Sequence, residues 1–385
     1  MLIGGWLVGV TMLSFATVLA YYSMKILFVC ASKTGIYSYG ALLSHATTPL
    51  AGPILDVVIV MYGSGVVIAY YVFLGDFVPS LSEAIGLSWL EDRTTALVAC
   101  CLLAVPFAFP RKLSALQYIS PVSTIALVLT AIVAVIRLPR MSEQLTPEEA
   151  HLDAVIVGLP LLKCFTISPF AFICHMNVVS VAGELLHPTT MRASKIAFRA
   201  AVTQLVFYIL IGIGGYLSFG QTVNQNFITN YPANDHLIVV CRLLLTLTIF
   251  FALPINTNPT ANAFVHLLLT TGLVQEPRTT DIERPLVVPA TSDDEPLRKT
   301  RIGMAVYVLV QGLVVAIYAP GVADVISILG GSFGTLIMLV CPAIIYCKVC
   351  RDELGTSKAQ IMIGLLMLAS VISSIAVVCT VLHKI

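Results

Sequence analysis

The chain has 385 residues, 58% of them hydrophobic and 11% charged, with a net charge of +1 and a mean hydropathy of +0.95. Soluble domains carry roughly 25% charged residues, so this composition excludes a soluble fold and points to an all-α polytopic membrane protein. The balanced charge and the lack of a basic run exclude a nucleic-acid partner and leave the lipid bilayer as the expected surroundings.

A bilayer core takes about 20 apolar residues per helix. Ten segments qualify in chain order: 4–30, 53–79, 94–109, 114–136, 154–181, 196–219, 236–257, 302–319, 322–347 and 359–381. Residues 258–273 are also apolar and either extend the seventh span or form a short surface helix. The connections are polar. Residues 137–152 carry Thr146-Pro147-Glu148-Glu149, which reads as a helix start. Residues 275–299 mix proline with both charges and read as a linker loop. The whole of 1–385 is expected to be one integral domain.

Lysine and arginine set the orientation. With the amino terminus outside, the loops facing the cytosol hold Lys33, Arg111, Lys112, Arg192, Lys195, Arg199, Arg278, Arg284, Arg298, Lys299, Arg301, Lys348, Arg351 and Lys358. The opposite loops hold only Arg93, Arg137, Arg140 and Lys384. Ten spans then put both termini outside. An external amino terminus without a signal peptide raises the expectation that one helix precedes Gly4; a ten-span protein is the alternative.

The ten cysteines lie mostly in apolar stretches and read as small hydrophobes. The one Cys347-Lys348-Val349-Cys350 lacks a second pair, which argues against zinc. No nucleotide-binding loop, nucleophile elbow or His-Glu-x-x-His is present. Neither a metal nor a cofactor is expected, and catalysis is not.

The informative segment is SPFAFICHMNVVSVAGEL, residues 168–185. Main-chain groups in hydrocarbon must be satisfied within the protein. Pro169 lacks an N–H and clashes with the preceding turn, so the fifth span is either kinked or opened there. An opened helix frees amides and carbonyls at the midplane, as in transporters that bind substrate between half-helices. Thr166, Ser168 and the amides of Phe170 and Ala171 are then substrate contacts. His175 and Asn177 follow; His175 is either a proton-coupling group or a neutral histidine bonded to a neighbour. Glu184 sits at the cytosolic end as a gate or anchor. In the second span, Gly63-Ser64-Gly65 permits close packing, and Ser64 and Tyr71 are candidate substrate contacts. In the seventh, Thr246 and Thr248 are placed for a midplane cation or substrate, and Arg242, near the outer end, is a gate or anchor.

These segments, in order, resemble the amino acid/auxin permease family of secondary transporters, over essentially the whole chain. GWLVGVTMLSFATVLAYYSMKIL resembles that family's second helix and FTISPFAFICHMNVVSVAGEL its sixth. GYLSFG at 215–220 and NFITNYP at 226–232 resemble the end of its seventh helix and the following loop. Ala319-Pro320, Asp324-Val325 and GGSFGT with Pro342 resemble its ninth and tenth. The flavour is that of the protozoan members. The resemblance implies an APC-superfamily, LeuT-like fold of two inverted five-helix repeats plus an eleventh helix. Helices one and six are then broken and hold an amino acid by its carboxylate and amine, with helices three and eight beside them. Helix six is the fifth span here, three the second and eight the seventh. The family's glycine-interrupted first helix has no counterpart in this sequence.

The expected function is secondary active amino acid transport by alternating access, coupled to H⁺ or Na⁺. The alternative is a transport-inactive amino acid sensor or scaffold with the same fold. The membrane is expected to be the plasma membrane or that of a vacuole or lysosome.

Overall fold

A computed structural model describes residues 4–109, 119–185, 189–273, 295–318, 322–353 and 357–382. Among them there is no strand. The chain runs α1 (Trp6–Thr34), α2 (Tyr39–Ala46), α3 (Ala51–Ile85), α4 (Arg93–Ala104), α5 (Ile119–Ser142), α6 (Leu159–Phe170), α7 (His175–Glu184), α8 (Thr190–Phe219), α9 (His236–Thr270), α10 (Glu295–Tyr318), α11 (Val322–Leu329), α12 (Cys341–Val349) and α13 (Ser357–Leu382). Two π-helical turns, Gly330–Gly334 and Leu336–Val340, join α11 to α12.

Nine helical stretches among the described residues are long and apolar enough to cross a membrane, and the protein is all-α and polytopic. The expected span 94–109 is the exception. Arg93–Ala108 is a shorter apolar helix, its last turn 3₁₀. Most of the 275–299 linker, Arg111, Lys112 and Pro320 lie outside the described residues.

Two boundaries differ from the sequence reading for identifiable reasons. The fifth crossing begins at Leu159 rather than at 154, because residues 153–156 are used as a cap. The N–H groups of Trp6 and Leu7 donate to the carbonyls of Asp153 and Ala154, at 3.0 and 3.2 Å. Those N–H groups have no partner inside α1 itself. The Thr146–Glu149 signature does form, with Thr146 N and Oγ1 both 2.9 Å from Glu149 Oε2. It closes one turn and no helix follows, since the Glu149 carbonyl is taken by the N–H of Gln221 at 2.9 Å.

Of the two readings of residues 258–273, extension of the seventh crossing holds as far as 270, in spite of Pro254 and Pro259. The prolines take the N–H donors from the Phe250 and Ile255 carbonyls, and three side chains around them bond back onto their own helix. Asn256 donates to the Ala252 carbonyl at 3.1 Å, and Thr257 and Thr260 to the carbonyls of Leu253 and Asn256, both at 2.7 Å. α3 and α9 are 35 residues each, about 52 Å at 1.5 Å per residue.

These two helices pack antiparallel along their length, and three positions spaced by seven on α3 carry the seam. Asp56 meets His266, Gly63 meets Thr260, and Tyr70 meets Asn256. A Cβ at Gly63 would collide with Thr260 Oγ1. In lipid, such close backbone approach supplies the packing that the hydrophobic effect supplies in water. One apolar core gathers α1, α2, the first half of α3, α6, α7 and α12; a second gathers the rest of α3 with α4, α9 and α10. At one end of α1, Cys30 Sγ lies 3.9 Å from Cys350 Sγ, with Lys33 Nζ 3.6 Å from the latter.

Candidate functional site

The crossing Pro160–Glu184 is interrupted. α6 ends at Phe170, Ala171–Cys174 are non-helical, and α7 starts at His175. The interruption falls just after Pro169, which itself sits in the last turn of α6. The chain leaves α6 by tightened bonds, Phe172 N to the Pro169 carbonyl at 2.9 Å and Ile173 N to Phe170 at 3.1 Å. The first N–H groups of α7 have no carbonyl within their own helix. One freed carbonyl is claimed from outside: Tyr208 of α8 donates its hydroxyl to the Ala171 carbonyl at 3.0 Å.

Aromatic rings close the gap. Phe172 is buried and stands edge-on to Tyr208, centroids 5.4 Å apart. Tyr62 of α3 lies 6.0 Å from Phe170. Tyr70, further along the same helix, accepts a hydrogen bond from Asn256 at 3.1 Å. The π turn presses on the other side. A Cβ at Gly330 would collide with the Thr166 carbonyl and lie 2.8 Å from Phe170 Cβ. Such π insertions gather at functional positions.

Thr166 is fully buried and bonded to Ser327 of α11, Oγ to Oγ 2.7 Å, as well as to the Lys163 carbonyl at 2.9 Å. In this conformation it ties α6 to α11. Ser168 is buried, and Phe170 and Ala171 half-buried, at the lip of the gap. Beyond the π turn an open groove of about 410 Å³ lies against α13, lined by Ser332, Thr335, Ser370 and Ser374 among apolar side chains.

The other expected residues are distributed differently. Ser64 is half-buried on α3. Tyr71 does not face the gap; it is fully buried in the second core with Cys100 and Cys101, its ring over Gly312 of α10. Its neighbour Tyr70 holds the position expected of it. Thr246 and Thr248 lie roughly 15 and 12 Å along α9 from Asn256 by helix rise, and Thr248 is bonded back to the Leu244 carbonyl at 2.9 Å. Asn256 is the α9 side chain that reaches α3 near the gap.

His175 is fully buried with Nε2 2.7 Å from Ser23 Oγ. Its Nδ1 has no partner among the described residues. A charged ring needs an acceptor at both nitrogens, so this geometry holds the neutral form. Asn177 follows half-buried in the first turn of α7, and Glu184 is exposed at its far end. Arg242 is buried, donating Nη2 to the carbonyls of Ile228 and Tyr231 at 3.0 and 2.8 Å. It fastens the 3₁₀ turn Phe227–Asn230 to α9.

Tyr62, Tyr70 and Tyr208 stand around the gap, and Asn256 and Ser327 brace the helices beside it. Tyr62 adjoins Gly63 and Tyr70 follows it by seven residues, which was the available signal for those two.

Known proteins carry the same pattern. Residues 1–383 match the family described as transmembrane amino acid transporter protein. AAT1 of Toxoplasma gondii is 31% identical over 69% of this chain and 37% of its own length. AAT1 of Plasmodium falciparum is 25% identical over 95% of this chain and 65% of its own. Vacuolar amino acid transporter 6 of Saccharomyces cerevisiae is 28% identical over 82% and 77%. The chain thus spans 37% to 65% of the length of the two protozoan relatives. With a match across nearly every residue and a polytopic helical body built around an interrupted crossing, this chain belongs to the transmembrane amino acid transporter family.

Proposed function

We propose that the chain is a secondary active amino acid transporter working by alternating access and driven by H⁺ or Na⁺. The observation that carries this reading is the interruption at Ala171–Cys174 inside a membrane crossing. Unpaired main-chain groups at that depth are tolerated where protein, water or cargo meets them. The α-carboxylate of an amino acid suits the N–H groups that open α7, and its ammonium the carbonyls that end α6. Thr166, Ser168, Phe170 and Ala171 then border the substrate, with Tyr62, Tyr70 and Tyr208 as its covering. The buried state of these groups corresponds to a closed conformation, and substrate entry requires that α6 and α7 move against α3 and α8.

In this reading the crossings follow the LeuT-like inverted-repeat order, with α6–α7 as the sixth helix, α3 as the third and α9 as the eighth. The names of the yeast relatives support a vacuolar or lysosomal membrane over the plasma membrane.

The test is uptake of labelled amino acids by the full chain in liposomes under an imposed H⁺ or Na⁺ gradient. Saturable, gradient-dependent accumulation is expected. Saturable binding with no flux under either gradient would overturn transport in favour of an amino acid sensor.

A further inference from the structure

The seam between α3 and α9 ends in a pair that the substrate site does not use. Asp56 Oδ2 lies 2.5 Å from His266 Nδ1. The carboxylate side chain is 9% exposed and the imidazole 44%. Gly40 of α2 lies over the carboxylate, so close that a Cβ on it would stand 3.2 Å from Oδ1. The acid is therefore enclosed, while the imidazole is only half-buried.

Further in, the same seam continues through Thr260 and Asn256 to the Tyr70 hydroxyl. Tyr70 and Tyr208 pack against the same apolar core, and Tyr208 holds the Ala171 carbonyl at the interruption. Polar groups thus line one interface from the gap to this pair, over a distance of about 15 Å from Asn256 to His266.

We infer that Asp56 and His266 form a proton-binding site through which the coupled proton leaves at the end assigned to the cytosol by the lysine and arginine bias. This rests on the transporter reading and specifies its driving ion. Imidazole takes the proton at Nε2 while Nδ1–H stays donated to the carboxylate. The pair then carries one positive and one negative charge, and on release it keeps only the carboxylate. Imidazole is the ordinary side chain that changes charge within the physiological pH range, and here the charge it gains faces a carboxylate across a single hydrogen bond.

On α2 the titratable groups are Tyr39, buried with its hydroxyl donated to the Ile337 carbonyl at 2.6 Å, and His45, which is exposed. On α10 they are Arg298, Lys299 and Arg301; Arg301 donates to Asn258 Oδ1 at 2.9 Å and to the Phe109 carbonyl. The acid–base pairs Arg93–Asp76 and Arg137–Asp235 belong to the opposite ends of their helices.

The test uses the full chain in liposomes, comparing accumulation driven by a pH gradient with substrate exchange at fixed pH. His266→Gln preserves a donor toward Asp56 and removes the titration. The ratio of gradient-driven accumulation to exchange is expected to fall about tenfold or more in His266→Gln and in Asp56→Asn. Proton uptake or release on substrate addition, followed in detergent with a pH dye, is expected in the unaltered protein and lost in His266→Gln. A ratio and a proton signal unchanged in His266→Gln overturn the site. Accumulation driven only by Na⁺ in the unaltered protein overturns the site and leaves the transporter reading standing. Amino acid binding without any exchange or accumulation in the unaltered protein overturns both.

Discussion

The α6–α7 crossing and the α3–α9 pair solve the same problem in opposite ways. Both carry polar groups and prolines through the membrane. In α9 the helix stays whole over 35 residues through Pro254 and Pro259, and Asn256, Thr257 and Thr260 bond back onto carbonyls of that same helix. In α6–α7 a single Pro169 is followed by a real break, and its freed carbonyl at Ala171 is met from another helix by Tyr208. A helix that keeps its bonds to itself makes a strut. Repair borrowed from a neighbour makes a joint, because the borrowed bond can be returned when the neighbour moves or cargo replaces it.

The hardest blow to this contrast is at Gly63. Gly63→Val pushes a side chain into Thr260 and forces the strut apart; overpacking costs about 1–3 kcal/mol or more. Loss of monodisperse protein in size-exclusion chromatography is expected, with partial recovery in Gly63→Val/Thr260→Gly. Next comes Gly330→Ala, whose methyl meets the Thr166 carbonyl. It is expected to lower uptake about 100-fold with a thermal midpoint only a few degrees lower, since it jams the joint and spares the strut. A midpoint collapse equal to that of Gly63→Val would erase the distinction between the two regions.

The contrast sharpens with Tyr208→Phe and Asn256→Leu. Each removes about one hydrogen bond, worth roughly 1 kcal/mol. Tyr208→Phe is expected to weaken substrate binding about fivefold with little change in midpoint. Asn256→Leu is expected to lower the midpoint and leave substrate affinity within about twofold. Isothermal titration and thermal melts on the same preparations decide it.

The smallest effect belongs to neither region. The hydrogen bonds from Thr146 hold the Glu149 carboxyl below its usual 4.5. A lowered folded value means the contribution is present above pH 4.5 and fades as pH falls through the folded value. Glu149→Gln is expected to lose a small part of the midpoint difference between neutral and acid pH, about 1 °C. Glu149 lies in a surface turn where water screens its charge, which sets that scale.

Much of the architecture was legible because hydrocarbon imposes a length and forbids bare backbone. That is why residues 168–174 stood out from the sequence. The facing of side chains was not legible. α3 is apolar on nearly every side, so nothing in its pattern fixes its rotation, and Tyr70 and Tyr71 differ by about 100° around the axis. Tyr71 therefore seemed as good a contact as Tyr70, although only Tyr70 meets Asn256. His266 escaped notice because the sequence left open whether residues 258–273 extend the seventh span, and only the extended helix brings His266 to Asp56. The place of the break, just past the proline rather than at it, is set with the help of Tyr208 and Gly330, which lie far away in sequence.

The touching thiols of Cys30 and Cys350 make the chain its own measuring device. One sits at the end of α1 and the other just past α12, so any stroke that parts those ends lengthens a gap of 3.9 Å. Both thiols are buried here, so a stroke that parts the ends uncovers them, and labelling of Cys30 and Cys350 by a thiol reagent, mapped by peptide, marks that stroke without a single introduced cysteine.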